Sequence, residues 1–305
     1  MPIDSVKVTI NGTTTTLKDN GDGTYSATLA APNKTSYNIN SGHYYPITVV
    51  ATNLAGTSTT INDSHTTLGS SLRLFVKEVT APTISITAPT SGQYLASSTP
   101  TIKFNLTDEA NGSGIAISTL SFKLDNQTYT NTSSGVTVKS ITNGYEVTFI
   151  PTTAVTDGSH TLQVNVKDND GNSATSASVT FITDTVAPTL SVTNPATNGT
   201  YTAESSLNIT GTVNDSTSGV PKVTITLNGS DVGNVTVSNG TFTKGVTLRS
   251  GSNTIVVTAT DLAGKVTTIT RTITLDSSSP VIASVSITPN PVNVGANYTV
   301  TITVE

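Results

Sequence analysis

Asp108, Glu109, Asp168, Asp170, Asp184 and Asp215 are the residues of this 305-residue chain whose types and spacing come nearest to a chemical site. Carboxylates gathered in loops supply the oxygen ligands that a hard cation such as calcium takes in sixes to eights. Asp108 and Glu109 open a loop that runs to Gly112, Asp168 and Asp170 share one turn, and Asp184 and Asp215 stand singly. The plainer account is that Asp, Asn and Gly are what β-turns require. No loop has the acid density of a dedicated calcium hand. Turn residues are therefore the default reading, no cofactor is expected, and calcium is the chemical alternative.

Catalysis has less to draw on. His43, His65 and His160 fall where turns or loops are expected, and the reading is of ordinary solvated histidines. Asp108 and Glu109 are adjacent, so on an extended segment they point to opposite sides and cannot flank one bond. Hydrolase, metalloprotease and phosphate-loop motifs do not occur, and the chain is expected not to be an enzyme. A sugar face usually stacks on an aromatic, yet Trp is absent. The one aromatic pair, Tyr44-Tyr45, can expose at most one ring, because neighbours on a strand face opposite ways.

Composition narrows the partners. A net charge of -5 and the lack of a basic cluster speak against nucleic acid. No run of 18 apolar residues occurs, so membrane insertion is not expected. The amino terminus lacks the charged and apolar regions of a secretory signal, which favours release within a particle over export by that route. The absence of Cys removes disulfides and thiolate chemistry together.

These residues must be positioned by β-strands. Thr supplies about one residue in five, and with Val and Ile it makes a β-branched excess that suits pleated sheets. Self-similarity then sets the modules. Three segments end in the same hairpin: Ile47 to Asn53 and Gly56, Leu162 to Asp168 and Gly171, Ile255 to Asp261 and Gly264. Gly42, Gly158 and Gly251 open the strands that lead to them. Further upstream, Asp22-Gly23, Asn143-Gly144 and Asn239-Gly240 precede Tyr25, Tyr145 and Phe242, aromatics expected to enter a core. Alternation places Ile102/Phe104/Leu106, Leu120/Phe122/Leu124, Leu162/Val164/Val166 and Val179/Phe181 on inner faces. Leu207/Ile209/Val213, Val223/Ile225/Leu227 and Ile255/Val257/Ala259 repeat the pattern. About seven strands in roughly 100 residues predict a two-sheet sandwich.

Ala81-Pro-Thr-Ile-Ser-Ile-Thr-Ala-Pro89 and Ala187-Pro-Thr-Leu-Ser-Val-Thr-Asn-Pro195 open two of the repeats. With the Asp/Asn-to-Gly hairpins, these openings resemble bacterial Ig-like domain families. The start, with Val6 to Gly12, Asp22 to Tyr25 and Ile47 to Thr52, is similar to Ig-like proteins of prophage tail gene clusters in Gram-positive bacteria. The resemblance implies an all-β chain of tandem immunoglobulin-like β-sandwich modules in an extended array. Boundaries fall at 1–78, a module lacking its opening strands; 79–185; 186–277; and 278–305, a carboxyl-terminal strand pair. It further implies a structural and display protein of a phage or phage-derived tail, in the virion, that supports host attachment. Its partners would be tail proteins or a host cell-surface component, including glycan. The alternatives are the stalk of a bacterial cell-surface adhesin, extracellular or on the cell surface, and a carbohydrate-binding accessory module. In such stalks calcium can stiffen a junction between modules.

The two ends look like complementary parts of one module, which allows self-association through end strands. The opposing reading is that 71–79 supplies the first module with an extra strand of its own. An array of modules that each close their own core predicts a rod. A compact domain of 305 residues has a radius of gyration of about 19 Å. Small-angle scattering should give a value well above that, and a value near it would rule the rod out.

Overall fold

The computed structural model describes residues 2–219 and 222–305. Strands dominate it, and the helical elements among the described residues are two single 3-10 turns, Gly69–Ser71 and Ile117–Thr119. The chain divides into two compact units, 1–183 and 184–305.

The first unit holds a complete sandwich from about residue 82 to 183. One sheet orders Val136–Ile141, Gly144–Phe149, Ile102–Thr107 and Thr83–Ala88; the other orders Gln127–Thr130, Ser121–Leu124, Gly158–Asn165, Ala177–Thr183 and Tyr94–Leu95. Ile102, Phe104 and Leu106 are fully buried while Lys103, Asn105 and Thr107 between them are not. The period of two thus turns one face of each strand inward. Phe122 sits at the middle of the core, edge-on to Phe104 and Phe149 with centroids 5.4 and 5.2 Å away. The expected inner sets Leu120/Phe122/Leu124 and Leu162/Val164/Val166 are buried, as is Phe181, with Val179 partly so.

The sandwich of the second unit repeats this order strand for strand. Val237–Ser238, Thr241–Thr247, Ser206–Asn214 and Thr189–Asn194 form one sheet; Ser230–Asp231, Lys222–Leu227, Gly251–Thr260, Val266–Leu275 and Thr200–Thr202 form the other. Ile209, Ile225, Ile255, Val257 and Ala259 make its fully buried centre. Each sandwich has nine strand pieces rather than about seven, because the opening strand is split between the sheets and a short edge strand, Gln127–Thr130 or Ser230–Asp231, is added to the second. Pro89 and Pro195 lie at the split, where a residue without N–H ends the ladder. The chain then rejoins the other sheet in parallel, Ile182 opposite Tyr94 and Thr200 opposite Ile273. Hairpins close on the turns their sequences demand: Asn228-Gly229 and Asn239-Gly240 both hold positive φ at each residue, the two-residue turn that matches strand twist.

The opening segment departs from this plan. Its main sheet orders Thr13–Thr16, Ile3–Ile10, Tyr45–Asn53 and Ser58–Ile61, with Arg73–Leu74 paired to the start of Tyr45–Asn53. The extra strand expected at 71–79 is therefore present but contracts to two residues. Tyr25 does not enter a core; it belongs to a small separate hairpin, Lys18–Asp19 with Tyr25–Ser26. Among the described residues before 79, Val8, Tyr45 and Leu72 are the buried hydrophobics. At the other end of the chain, Ile282–Thr288 and Thr299–Val304 pair antiparallel, with every residue exposed.

Each sandwich has its own core, so a cavity in one should leave the other intact. Phe122→Ala should cost about 3–5 kcal/mol. Calorimetry should show it lowering one melting transition while a second holds; Ile225→Ala should move the second. A single transition shifted by both would show one cooperative unit instead.

Candidate metal centres

The same turn occurs three times. The backbone N–H groups of Asn53, Asp168 and Asp261 each donate to the carbonyl four residues on, and the glycine three residues on donates back to each carbonyl. Gly56, Gly171 and Gly264 all hold positive φ, which glycine adopts without strain. Asn53 Oδ1 accepts from the backbone of Ala55 and Thr57; Asp168 Oδ1 and Asp261 Oδ1 accept from Asn172 and Lys265 in the same way. An amide oxygen therefore suffices for this turn. The negative charge at Asp168 and Asp261 is surplus to it.

In the first unit Asp168 meets Glu78 and Asp108, with one oxygen from each lying within 4.8 Å of the others. Asp108 closes the strand Ile102–Thr107 and Glu78 belongs to the segment that leads into the sandwich, so three separate stretches converge at one end of the module. Asp108 Oδ2 accepts from the Gly114 backbone at 2.7 Å and Glu78 Oε1 from the Ser113 backbone at 2.6 Å. A Cβ at Gly112 would sit 2.6 Å from Asp108 Oδ2 and from Glu78 Oε2. Bare glycine backbone is thus the wall on that side. A surface depression of about 360 Å³ that includes Lys77, Glu78, Glu109 and Asn111 opens beside the cluster.

In the second unit Asp261 meets Asp184 and Asp215 under the same 4.8 Å limit. Asp184 stands three residues before the Ala187-Pro188 opening, as Glu78 stands three before Ala81-Pro82, and Asp215 follows the strand Ser206–Asn214 as Asp108 follows its counterpart. Asp215 Oδ1 accepts from the backbone of Thr217 and Ser218, and Asp184 Oδ1 from that of Val186. The two clusters are one arrangement repeated.

Their electrostatics are unbalanced. Asp108, Asp168, Asp184 and Asp261 are buried. His160 pairs with Asp125, and among the described residues no Lys or Arg forms an ion pair with either cluster. Two like charges about 5 Å apart repel by about 3 kcal/mol at an effective dielectric of about 20. Burial, and next the neighbouring Glu109 carboxyl, push Glu78 above the usual carboxylate range, against the Ser113 bonds that lower it. When both glutamates are ionised neither can donate to the other, which leaves Glu78 Oε2 without a partner. Buried and without a hydrogen bond are Glu78 Oε2, Asp108 Oδ1, Asp184 Oδ2 and Asp261 Oδ2; Thr200 and Arg271 supply the two other such atoms among the described residues. One oxygen of each of these four acids serves the backbone, and the other is left over. An all-oxygen set of this kind suits a hard cation and neither zinc nor copper.

Of the residues singled out in the sequence, Asp108 and Asp168 meet in one cluster and Asp184 and Asp215 in the other. Glu109 is exposed at the edge of the first. Asp170 lies outside the cluster, and its Oδ2 accepts from Thr35 Oγ1 and the Glu78 backbone, tying the opening segment to the sandwich. Glu78 and Asp261 were missed. The repeat could have found both, since Asp261 aligns with Asp168, and Glu78 and Asp184 hold the same place before Ala-Pro.

His43 and His65 are exposed as expected, but His160 is not a solvated histidine. It lies buried in the strand Gly158–Asn165, with Nδ1 2.7 Å from Asp125 Oδ2 and Nε2 2.8 Å from the Thr156 carbonyl. Its place on an inner face, two residues before Leu162, was the signal. Tyr45 is buried, and Tyr44 is half-buried with the Arg73 guanidinium 4.7 Å over its ring.

A bacterial Ig domain family model matches residues 82–164, and the model of glucodextranase, domain B matches residues 188–277. The two sandwiches are immunoglobulin-like. No curated protein matches the chain. Among solved structures it is similar to the I67–I69 fragment of titin, at 12% identity over 90% of this chain and 88% of that one, with a TM-score of 0.41. It is also similar to the fibronectin(III)-like modules of Clostridium thermocellum CbhA, at 18% identity, 63% and 94% coverage and a TM-score of 0.39. A bacterial ice-binding adhesin gives 21% identity, 90% and 88% coverage and a TM-score of 0.31. At these identities the likeness bears on fold alone. No helix among the described residues is long and apolar enough to cross a membrane.

His160→Ala would strip Asp125 and the buried Thr183 hydroxyl of a partner. Urea unfolding should show a loss of about 1–3 kcal/mol. No loss would mean that water replaces the ring at no cost.

Proposed function

We propose that the chain is a non-enzymatic structural and display protein of a phage or phage-derived tail, supporting attachment to the bacterial host surface. The observation that supports this reading most is the repetition itself. Two immunoglobulin-like sandwiches share their strand order and place the same acidic triad at the same end, where each module receives the preceding chain. Such a design repeats one module and does not elaborate a single recognition pocket. The outward faces carry Thr, as at Thr268 and Thr270, and suit an uncharged, hydroxylated surface outside the cell.

The match of residues 188–277 to glucodextranase, domain B favours a second reading, an accessory module beside a secreted carbohydrate-active domain. Immunogold labelling with antibodies to the chain separates the readings. Gold on purified tail particles from the native host is the expected result. Gold confined to the cell wall would replace the tail by an adhesin stalk, and co-purification with a secreted hydrolase would replace it by the accessory module.

A further inference from the structure

We propose that each acidic triad, Glu78/Asp108/Asp168 and Asp184/Asp215/Asp261, binds one calcium ion that ties the segment leading into the module to the two loops it meets. Four observations converge on it. The triad recurs at matching positions of two modules. Four of its six acids each have a buried oxygen with no hydrogen bond, three of them on aspartates at least nine-tenths buried. No cationic side chain among the described residues pairs with it. The corresponding turn at Asn53 forms with an amide, and the described residues of that opening segment hold no such triad.

The donor chemistry selects the ion. Oxygen ligands without His or Cys set aside zinc and copper. Magnesium keeps several of its waters and demands a near-ideal octahedron, whereas calcium accepts many oxygens in irregular geometry. Carboxylates drawn from three stretches of chain, with little solvent around Asp184 and Asp168, fit the second case. The position of the acids gives the ion its effect. Glu78 and Asp184 are the members that do not belong to the loops of the sandwich. Without a cation they face two like charges; with it they become ligands, and the leading segment is held.

Calcium titrated into the chelator-stripped full chain should bind at two sites by calorimetry. E78Q with D108N should remove one site, and D215N with D261N the other. Gln and Asn keep the one oxygen that accepts hydrogen bonds at each of these positions, so in chelator these variants should melt no lower than the unmodified chain. Calcium at a hundredfold over its dissociation constant should raise the melting of the unmodified chain by about 5 °C or more, and that of a variant combining all four substitutions by nothing. Magnesium should give a clearly smaller response. Absence of binding to the unmodified chain overturns the proposal whether or not any variant folds, as do two sites retained in the variant combining all four substitutions or an equal response to magnesium. Variants that melt lower in chelator would return the acids to a structural role. None of these outcomes depends on where the chain is displayed.

Discussion

Burial of alternate side chains between two sheets is the constraint from which the other features follow. With 34% hydrophobic residues and Thr so abundant, each strand can turn only one face inward, and both sandwiches fill that face with Ile, Leu, Val and Phe around Phe122 or Ile225. The flanks are then given to hydroxyls. Polar groups that must be buried are pushed to the module ends, where strands run out into loops and the backbone can cap a carboxylate. The acidic triads stand there, and so does the Ser113 to Gly114 backbone that holds two acids of the first, Glu78 and Asp108.

The opening segment shows what the sandwich contributes by default of it. It has the same last hairpin, down to the turn at Asn53 and Gly56, and it has a sheet. Its second sheet is reduced to the two-residue hairpin Lys18–Asp19 with Tyr25–Ser26, and its buried hydrophobics reduce to three among the described residues. Hydrogen bonds take over part of the work. Ser36 bonds the carbonyls of His43 and Val76, and Asn38 reaches the Gly112 carbonyl of the sandwich. The segment is attached through polar contacts where the sandwiches are closed through apolar ones.

The acids illustrate why one residue type can serve two purposes. Asp at a turn satisfies backbone N–H groups with one oxygen, and composition alone explains it. The remaining oxygen is decided by what the fold brings near. In Asp22 the bonds stay local, since the Thr24 backbone and hydroxyl both donate to Oδ1 and hold the carboxyl below its ordinary range. In Asp261 the second oxygen faces Asp184 and Asp215, which lie 77 and 46 positions earlier in the chain.

The sequence by itself determined the strands, their inward faces and the repeat, because periods of two, Asn-Gly turns and Pro openings are local signals that neighbouring residues enforce. It determined the sandwich class for the same reason. It also marked Asp108, Asp168, Asp184 and Asp215, yet it could not sort them from Glu109 and Asp170, whose distance from the clusters depends on how loops cross. Only the tertiary structure decided that Glu78 and Asp261 complete the triads, that His160 is buried against Asp125, and that the opening strand divides between two sheets. Each of these rests on contacts between residues distant along the chain, and no local pattern encodes which stretches will meet.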